Sequence, residues 1–169
     1  MGKSKTSFAK GYYIYALIRG INFVVENDIR KSIKKYEQSF PSFRILWSLY
    51  FEPKMTMSTL TFLSQTNMSN VFRQLKKLEE NGLVVVTNGK DARTREVTLT
   101  DAGSEVVKTF IKNQSHETDI DFIKKIETIP EDQLNELTHM LSCLGEDVIG
   151  KSFTDFVKKS TNYILEEEN

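Results

Sequence analysis

The chain has one cysteine, three prolines, eight glycines and two histidines in 169 residues. Each scarcity removes a class of protein. A single thiol, Cys143, cannot form an intramolecular disulfide framework, so a small secreted scaffold held by bridges is excluded. Few prolines and glycines argue for long helices with few turns. No run approaches the roughly 18 consecutive apolar residues of a membrane-spanning helix. The opening MGKSKTSFAKG lacks the apolar core and small-residue cleavage site of a secretory signal, so a reducing cytoplasm is the expected location. No repeat at a period of roughly 20 to 50 residues is apparent. What is present, 39% hydrophobic and 27% charged residues, fits one soluble globular domain.

Net charge is also missing, since 23 basic side chains balance 23 acidic ones, but the zero conceals a layout. Residues 1 to 66 carry 10 basic and 4 acidic side chains, 67 to 95 carry 6 and 3, 96 to 114 carry 2 and 3, and 115 to 169 carry 5 and 13. The charge therefore runs +6, +3, −1 and −8 along the chain. A neutral total of this kind does not exclude a polyanionic partner, provided that the basic part presents its charges on one face.

From Phe8 to about Tyr36, Ile14, Leu17, Ile18, Ile21, Val24, Val25, Ile29 and Ile33 recur at three- and four-residue steps, which predicts one long amphipathic helix. Its span, on the order of 40 Å, exceeds what a small domain needs to cover its own core. Such excess is expected to pack on a partner subunit. FPSFRILWSLYFEP predicts a compact second helix with Pro41 in its first turn. Two short helices follow at 57–65 and 67–82, the latter capped by Asn67 and stopped by Asn81-Gly82. LVVVT, NGKDART and REVTL read as strand, turn and strand, a β-hairpin. A helix restarts at Thr100-Asp101, continuing past Ile120, Ile123 and Ile126. Another opens at Thr128-Ile129-Pro130-Glu131 as a capping box, with Gly145 and Gly150 as its breaks and Phe153, Phe156, Val157 and Ile164 beyond. The expected fold is mainly α with a small β-hairpin wing: a helix-turn-helix followed at once by two strands.

With Val71, Leu75 and Leu78 facing inward, the opposite face of the 67–80 helix would present Ser69, Asn70, Arg73, Gln74, Lys76 and Lys77. The residue types suit major-groove readout. Arg73 has the fork for guanine O6 and N7, Asn70 and Gln74 can pair bidentately with adenine, and Ser69 can meet base or phosphate. Asn67 and Lys77 complete this set. A polar outer face is the default for any surface helix, but its place behind a short helix and ahead of a hairpin favours the DNA reading. Lys90, Arg93 and Arg95 lie in or beside the hairpin loop, where an arginine suits the minor groove. Asp91 among them is expected to orient a cation, either Arg93 or a basic residue of the recognition helix.

The stretch LTFLSQTNMSNVFRQLKKLEENGLVVVTNGKDARTREVTLTDAG, from Leu60 to Gly103, resembles the MarR family of bacterial winged-helix transcriptional regulators. The resemblance rests on Ser69, Val71, Arg73, Leu78, Gly82 and Leu83, then Asp91 and Arg93, then Leu99, Thr100 and Gly103. The order of the flanking helices extends it to about the whole chain. KKLEENG and LGEDVIGKSFTDF are similar to the Hpr/ScoC type of regulator from bacilli. The resemblance implies a single domain over 1–169, with dimerisation helices at 8–37 and 104–166 around a winged helix-turn-helix at 41–103. It further implies a homodimer on a pseudo-palindromic operator, a repressor role, and Arg93 in the minor groove. There are departures. The wing loop is about one residue shorter than the common pattern, and VVVT stands where basic residues often lie. Lys77 stands where an arginine often pairs with the wing aspartate, and lysine lacks the bidentate fork. Met68 replaces a usually polar residue. Together these departures imply either weaker minor-groove and phosphate contacts or a site read with more apolar contact to thymine methyls.

Other features are weaker. Tyr12, Tyr13, Tyr15, Phe43, Trp47 and Tyr50 could line a small-molecule effector pocket between the first helix and the winged portion; core and dimer interface are preferred for most of them. Cys143 beside Leu141 and Leu144 is read as a buried structural thiol, with a redox switch as its competitor. HETDI does not complete an H-E-x-x-H zinc pattern, and His116 and His139 are read as ordinary helical residues in preference to a two-histidine metal site with Glu117. No metal or cofactor is expected. Without a Ser/His/Asp order, a glycine-rich phosphate loop or a CxxC pair, no enzyme is expected either. The rival of a different class is a winged-helix protein-protein interaction module without specific DNA binding.

Overall fold

Residues 2–89 and 94–167 are described by the computed structural model, and they form eight α-helices and three short strands. α1 is Gly2–Ser32, α2 Phe40–Phe51, α3 Met57–Leu63, α4 Met68–Glu80, α5 Asp101–His116, α6 Asp121–Ile126, α7 Glu131–Val148 and α8 Lys151–Glu167; β1 is Lys54–Thr56, β2 Val84–Asn88 and β3 Arg95–Leu99. Lys90, Asp91 and Arg93 lie outside the described residues.

α1 is the long helix that the periodicity predicts, closing in a 3-10 turn over Ile33–Tyr36. Every residue from 4 to 24 is exposed, and the chain buries α1 only toward its end, at Asp28 and Ser32. That end is tied down by Asn113 Nδ2 donating to the Tyr36 hydroxyl at 2.8 Å and by Gln114 Nε2 donating to Ser32 Oγ at 3.0 Å.

α2 starts where Ser39 caps it and Pro41 pre-sets the first turn. Both sides of this helix are covered. Ile45, Leu46 and Leu49 pack with Leu60, Val71, Leu75, Leu78, Val97 and Val107 in the main core, while Phe43 joins Ile33, Phe40, Phe110 and Ile120 in a second cluster.

The expected two-stranded hairpin is a three-stranded antiparallel sheet in the order β1-β3-β2. β1 is only Lys54–Thr56 and pairs Met55 with Val97. Three residues between a proline and a helix are too few to show alternation, so the sequence carries no strand signal there. The close of the sheet is built around Gly103. Thr100 caps α5, its hydroxyl donating to Gly82 O at 2.8 Å and accepting from Gly103 N at 3.1 Å. A Cβ on Gly103 would lie 2.1 Å from Leu83 O.

Three boundaries differ from expectation. The helix after the wing does not run on: α5 ends at His116 and α6 is separate. Thr128 does not form a capping box, because Pro130 occupies the cap position of α7 and the Thr128 hydroxyl donates instead to Lys125 O at 2.7 Å. Gly145 lies within α7, and the break falls at Gly150 with φ +117. α8 then packs back on the winged body, placing Phe156 and Ile164 against the main core, with Lys159 bonded to Glu52 at 2.6 Å.

Candidate nucleic-acid interface

α3 and α4 form the helix-turn-helix. Thr56 caps α3, and Asn67 caps α4 through its side chain, accepting from Asn70 N at 2.9 Å. Between them Ser64 turns the chain and Gln65 takes a positive φ of 47. Val71, Leu75 and Leu78 are buried as their spacing requires, which leaves Ser69, Phe72, Arg73, Lys76 and Lys77 exposed. Ser69, Phe72, Arg73 and Lys76 are three or four residues apart and share one outward strip.

Gln74 does not belong to that strip. It was expected on the outer face, but it is 9% exposed and turned toward α2, where Ser42 Oγ donates to its Oε1 at 2.9 Å. Its Nε2 donates to Asn70 Oδ1 at 3.3 Å. Asn70, half-buried, is equally engaged: its Nδ2 donates to Thr66 Oγ1 at 2.9 Å, and its Oδ1 accepts from Arg73 Nη2 at 2.9 Å. A hydrogen-bonded chain therefore runs from the start of α2 through Gln74 and Asn70 to the guanidinium of Arg73. Sequence spacing placed Gln74 within a polar face, whereas burial by α2 is a tertiary fact. We expect Gln74→Ala to destabilise the fold by about 1 kcal/mol, since it removes the Ser42–Gln74 hydrogen bond while the Ser42 hydroxyl keeps Ser39 Oγ at 2.8 Å as a partner; urea denaturation measures this.

The wing strands place Arg95 opposite Asn88, exposed, and beside Phe72 in a shallow groove between α4 and the sheet. Glu79 is turned to structure, accepting from Val86 N at 3.3 Å. Lys54 pairs with Glu96 at 2.7 Å. Near the start of α4, Arg30 and Arg44 share a small surface groove with Thr66 and Asn70. Arg44 donates to Ser64 O, and burial lowers its pKa against the opposing pull of Glu26. The sequence pattern singles out neither arginine, nor Phe72 as a surface group, because only the fold brings the arginines near α4 and leaves that ring in solvent.

The aromatic set does not gather into one pocket. Tyr12 and Tyr13 stand exposed on the outlying part of α1. Phe43 packs against Phe110 at 4.7 Å between centroids, Trp47 against Phe51 at 5.0 Å, and Tyr50 against Tyr163 at 5.6 Å. Phe43 is buried, while Trp47 and Tyr50 are half-buried against the core. Cys143, expected to be buried, is exposed in the single chain, with Sγ 3.8 Å from His139 Nε2, because no other element covers that face of α7. Among the described residues no three histidine, cysteine or acidic side chains converge to hold a metal ion.

Residues 39–94 match the family model of the MarR family, a stretch that contains α2 to β2 and stops just before β3. No curated protein matches the chain. Among solved structures, a MarR transcriptional regulator from Methanosarcina mazei superposes with a TM-score of 0.69 at 24% identity, covering 80% of this chain and 96% of that one. A mutant MarR from E. coli complexed with operator DNA gives 0.68 at 18% identity, covering 81% and 96%. An organohalide-sensing transcriptional regulator in its 2,4-dichlorophenol-bound form gives 0.67 at 16% identity, covering 82% and 81%. Likeness at these identities is likeness of fold.

Proposed function

We propose that the protein is a sequence-specific DNA-binding regulator, a reading supported by the match of residues 39–94 to the MarR family model and by a fold shared with a MarR transcriptional regulator over 80% of the chain. The observation that carries this reading is the outward strip of α4. It presents Arg73 at the N-terminal half of a recognition helix, held by Asn70, with Lys76 and Arg95 beside it. Arg73 and Ser69 address base edges in the major groove, the cations near them meet phosphate, and Arg93 is assigned to the minor groove. The operator-bound relative supports this assignment.

The functional unit is a homodimer on a pseudo-palindromic operator, acting as a repressor. Its support is α1, which exposes Phe8, Ile14, Leu17, Ile18, Ile21 and Val24 along a helix that its own chain does not cover. A second copy offers the same surface in return. Release by a small molecule has the dichlorophenol-bound relative in its favour. A thermal-shift screen with aromatic acids checks it, universal lack of stabilisation counting against an effector.

The test is footprinting on the region upstream of the protein's own gene. The expected result is a protected site with half-sites roughly 10 bp apart, centre to centre. Affinity for it should fall about a thousandfold between roughly 50 and 200 mM salt if some six phosphates are contacted. Binding to random DNA equal to binding at every candidate site would sink the reading. Arg93→Ala should weaken operator and random duplex by similar factors in a gel-shift titration, as loss of a charge without base readout does.

A further inference from the structure

The outward strip of α4 is not purely polar. Met68 is 44% exposed and Phe72 51% exposed. They lie one turn apart, flanking Ser69 and preceding Arg73, on the side turned toward the wing: both line one groove with Met57, Thr94 and Arg95. The Met68 sulfur lies 3.6 Å from the Thr61 hydroxyl, whose proton is given to Met57 O at 2.7 Å. A phenyl ring left in water forgoes the stabilisation of burial, so its place on the first two turns of a recognition helix calls for an apolar counterpart. The surrounding charge narrows the choice of counterpart. Arg73, Lys76 and Arg95 border the pair, and the nearby carboxylate of Glu79 is engaged with Val86 N. A cationic rim around an apolar centre matches nucleic acid better than an apolar protein segment. Among base edges in the major groove, the apolar group is the C5 methyl of thymine.

We propose that Met68 and Phe72 read thymine through its C5 methyl, so that each half-site requires a thymine next to the base addressed by Arg73. This rests on the DNA-binding reading and deepens it: Arg73 supplies polar readout, and the Met68–Phe72 pair supplies a readout that needs no hydrogen bond. The pair also fits the buttressing below it. Asn70 and Gln74, the residues suited to adenine, are committed to internal bonds, so specificity on this helix falls to Arg73 and the apolar pair.

The experiment starts with the full chain, which selects sites from a random duplex library. Each thymine of the enriched half-site is then replaced singly by deoxyuridine, which removes the methyl and nothing else. At one or two positions the replacement should weaken the wild-type protein by about fourfold, the effect of one methyl-sized group losing burial. Phe72→Ala or Met68→Ala should bind the thymine and deoxyuridine forms alike. An enriched site that tolerates deoxyuridine at every thymine, or a penalty that persists in both variants, overturns methyl readout while DNA binding stands. No enriched sequence at all overturns both readings. Capture of a protein through the patch, abolished by Phe72→Ala and unaccompanied by any enriched sequence, reassigns it to a protein contact. Because deoxyuridine alters the DNA, the wild-type arm alone can overturn methyl readout without any variant having to fold.

Discussion

Replacing Arg73 by alanine is expected to lower affinity for the selected operator by roughly one to two orders of magnitude while changing affinity for random duplex little. The expectation follows from how the side chain is held. Its guanidinium is exposed on α4, yet Nη2 is anchored at 2.9 Å on Asn70 Oδ1, itself fixed by Thr66 and by Gln74 from below. Little rotamer freedom then remains to be lost on binding, and the fork is presented in one orientation. Arg73→Lys separates charge from geometry: it should keep the salt dependence and lose most of the sequence preference. Fluorescence anisotropy with operator and scrambled duplexes measures both. A loss of equal size on the two DNAs would mean that Arg73 touches phosphate alone.

Gly103→Ala is expected to destabilise the fold by about 3 kcal/mol, the upper end of what overpacking usually costs. In a chain of this size that lowers Tm by roughly 6–12 °C. The added methyl would sit 2.1 Å from Leu83 O and 2.8 Å from a Leu99 methyl. The first obstacle is backbone, and it cannot swing aside. Leu83 O is already the acceptor for Thr100 N at 3.1 Å, so displacing it breaks the bond that closes the sheet onto α5. Gly11→Ala, within α1 where nothing lies within 4 Å of the new atom, is the control and should be neutral or slightly stabilising. Calorimetry of the two variants compares them; equal melting temperatures would remove the role assigned to the close approach at Gly103.

Much of this architecture is legible in the residues themselves. Asn67, Val71, Leu75, Leu78 and Gly82 mark the start, buried stripe and end of α4, because cap preference, helical spacing and a positive φ act over a few residues. Thr100 marks the start of α5 in the same way. The features that escape are those decided at a distance. β1 exists because Met55 meets Val97, 42 positions away. Gln74 leaves the polar face because Ser42 of α2 sits above it. The apolar pair on α4 is read differently once Phe72 is seen to face solvent, since a phenylalanine in an amphipathic helix is ordinarily assigned to the core. Composition alone balanced the charges, while their layout hinted at a working end. Only the fold brings Arg95 of the sheet beside Lys76 of α4.

The outlying arm of α1 bears on how much of the protein is folded at a given cellular level. A 31-residue helix of about 46 Å, with every residue from 4 to 24 in water, has little tertiary packing to hold it, and helices draw most of their stability from such packing. If a second copy covers it, as proposed above, arm formation and pairing become one bimolecular event, and the chain's own concentration acts as a stabilising ligand. Melting temperature then climbs with the logarithm of protein concentration, and dilution frays the arm first. A shortened copy that keeps the arm but lacks α4 would capture intact chains into pairs with a single recognition helix, so its synthesis would silence the intact protein by titration, without touching the DNA.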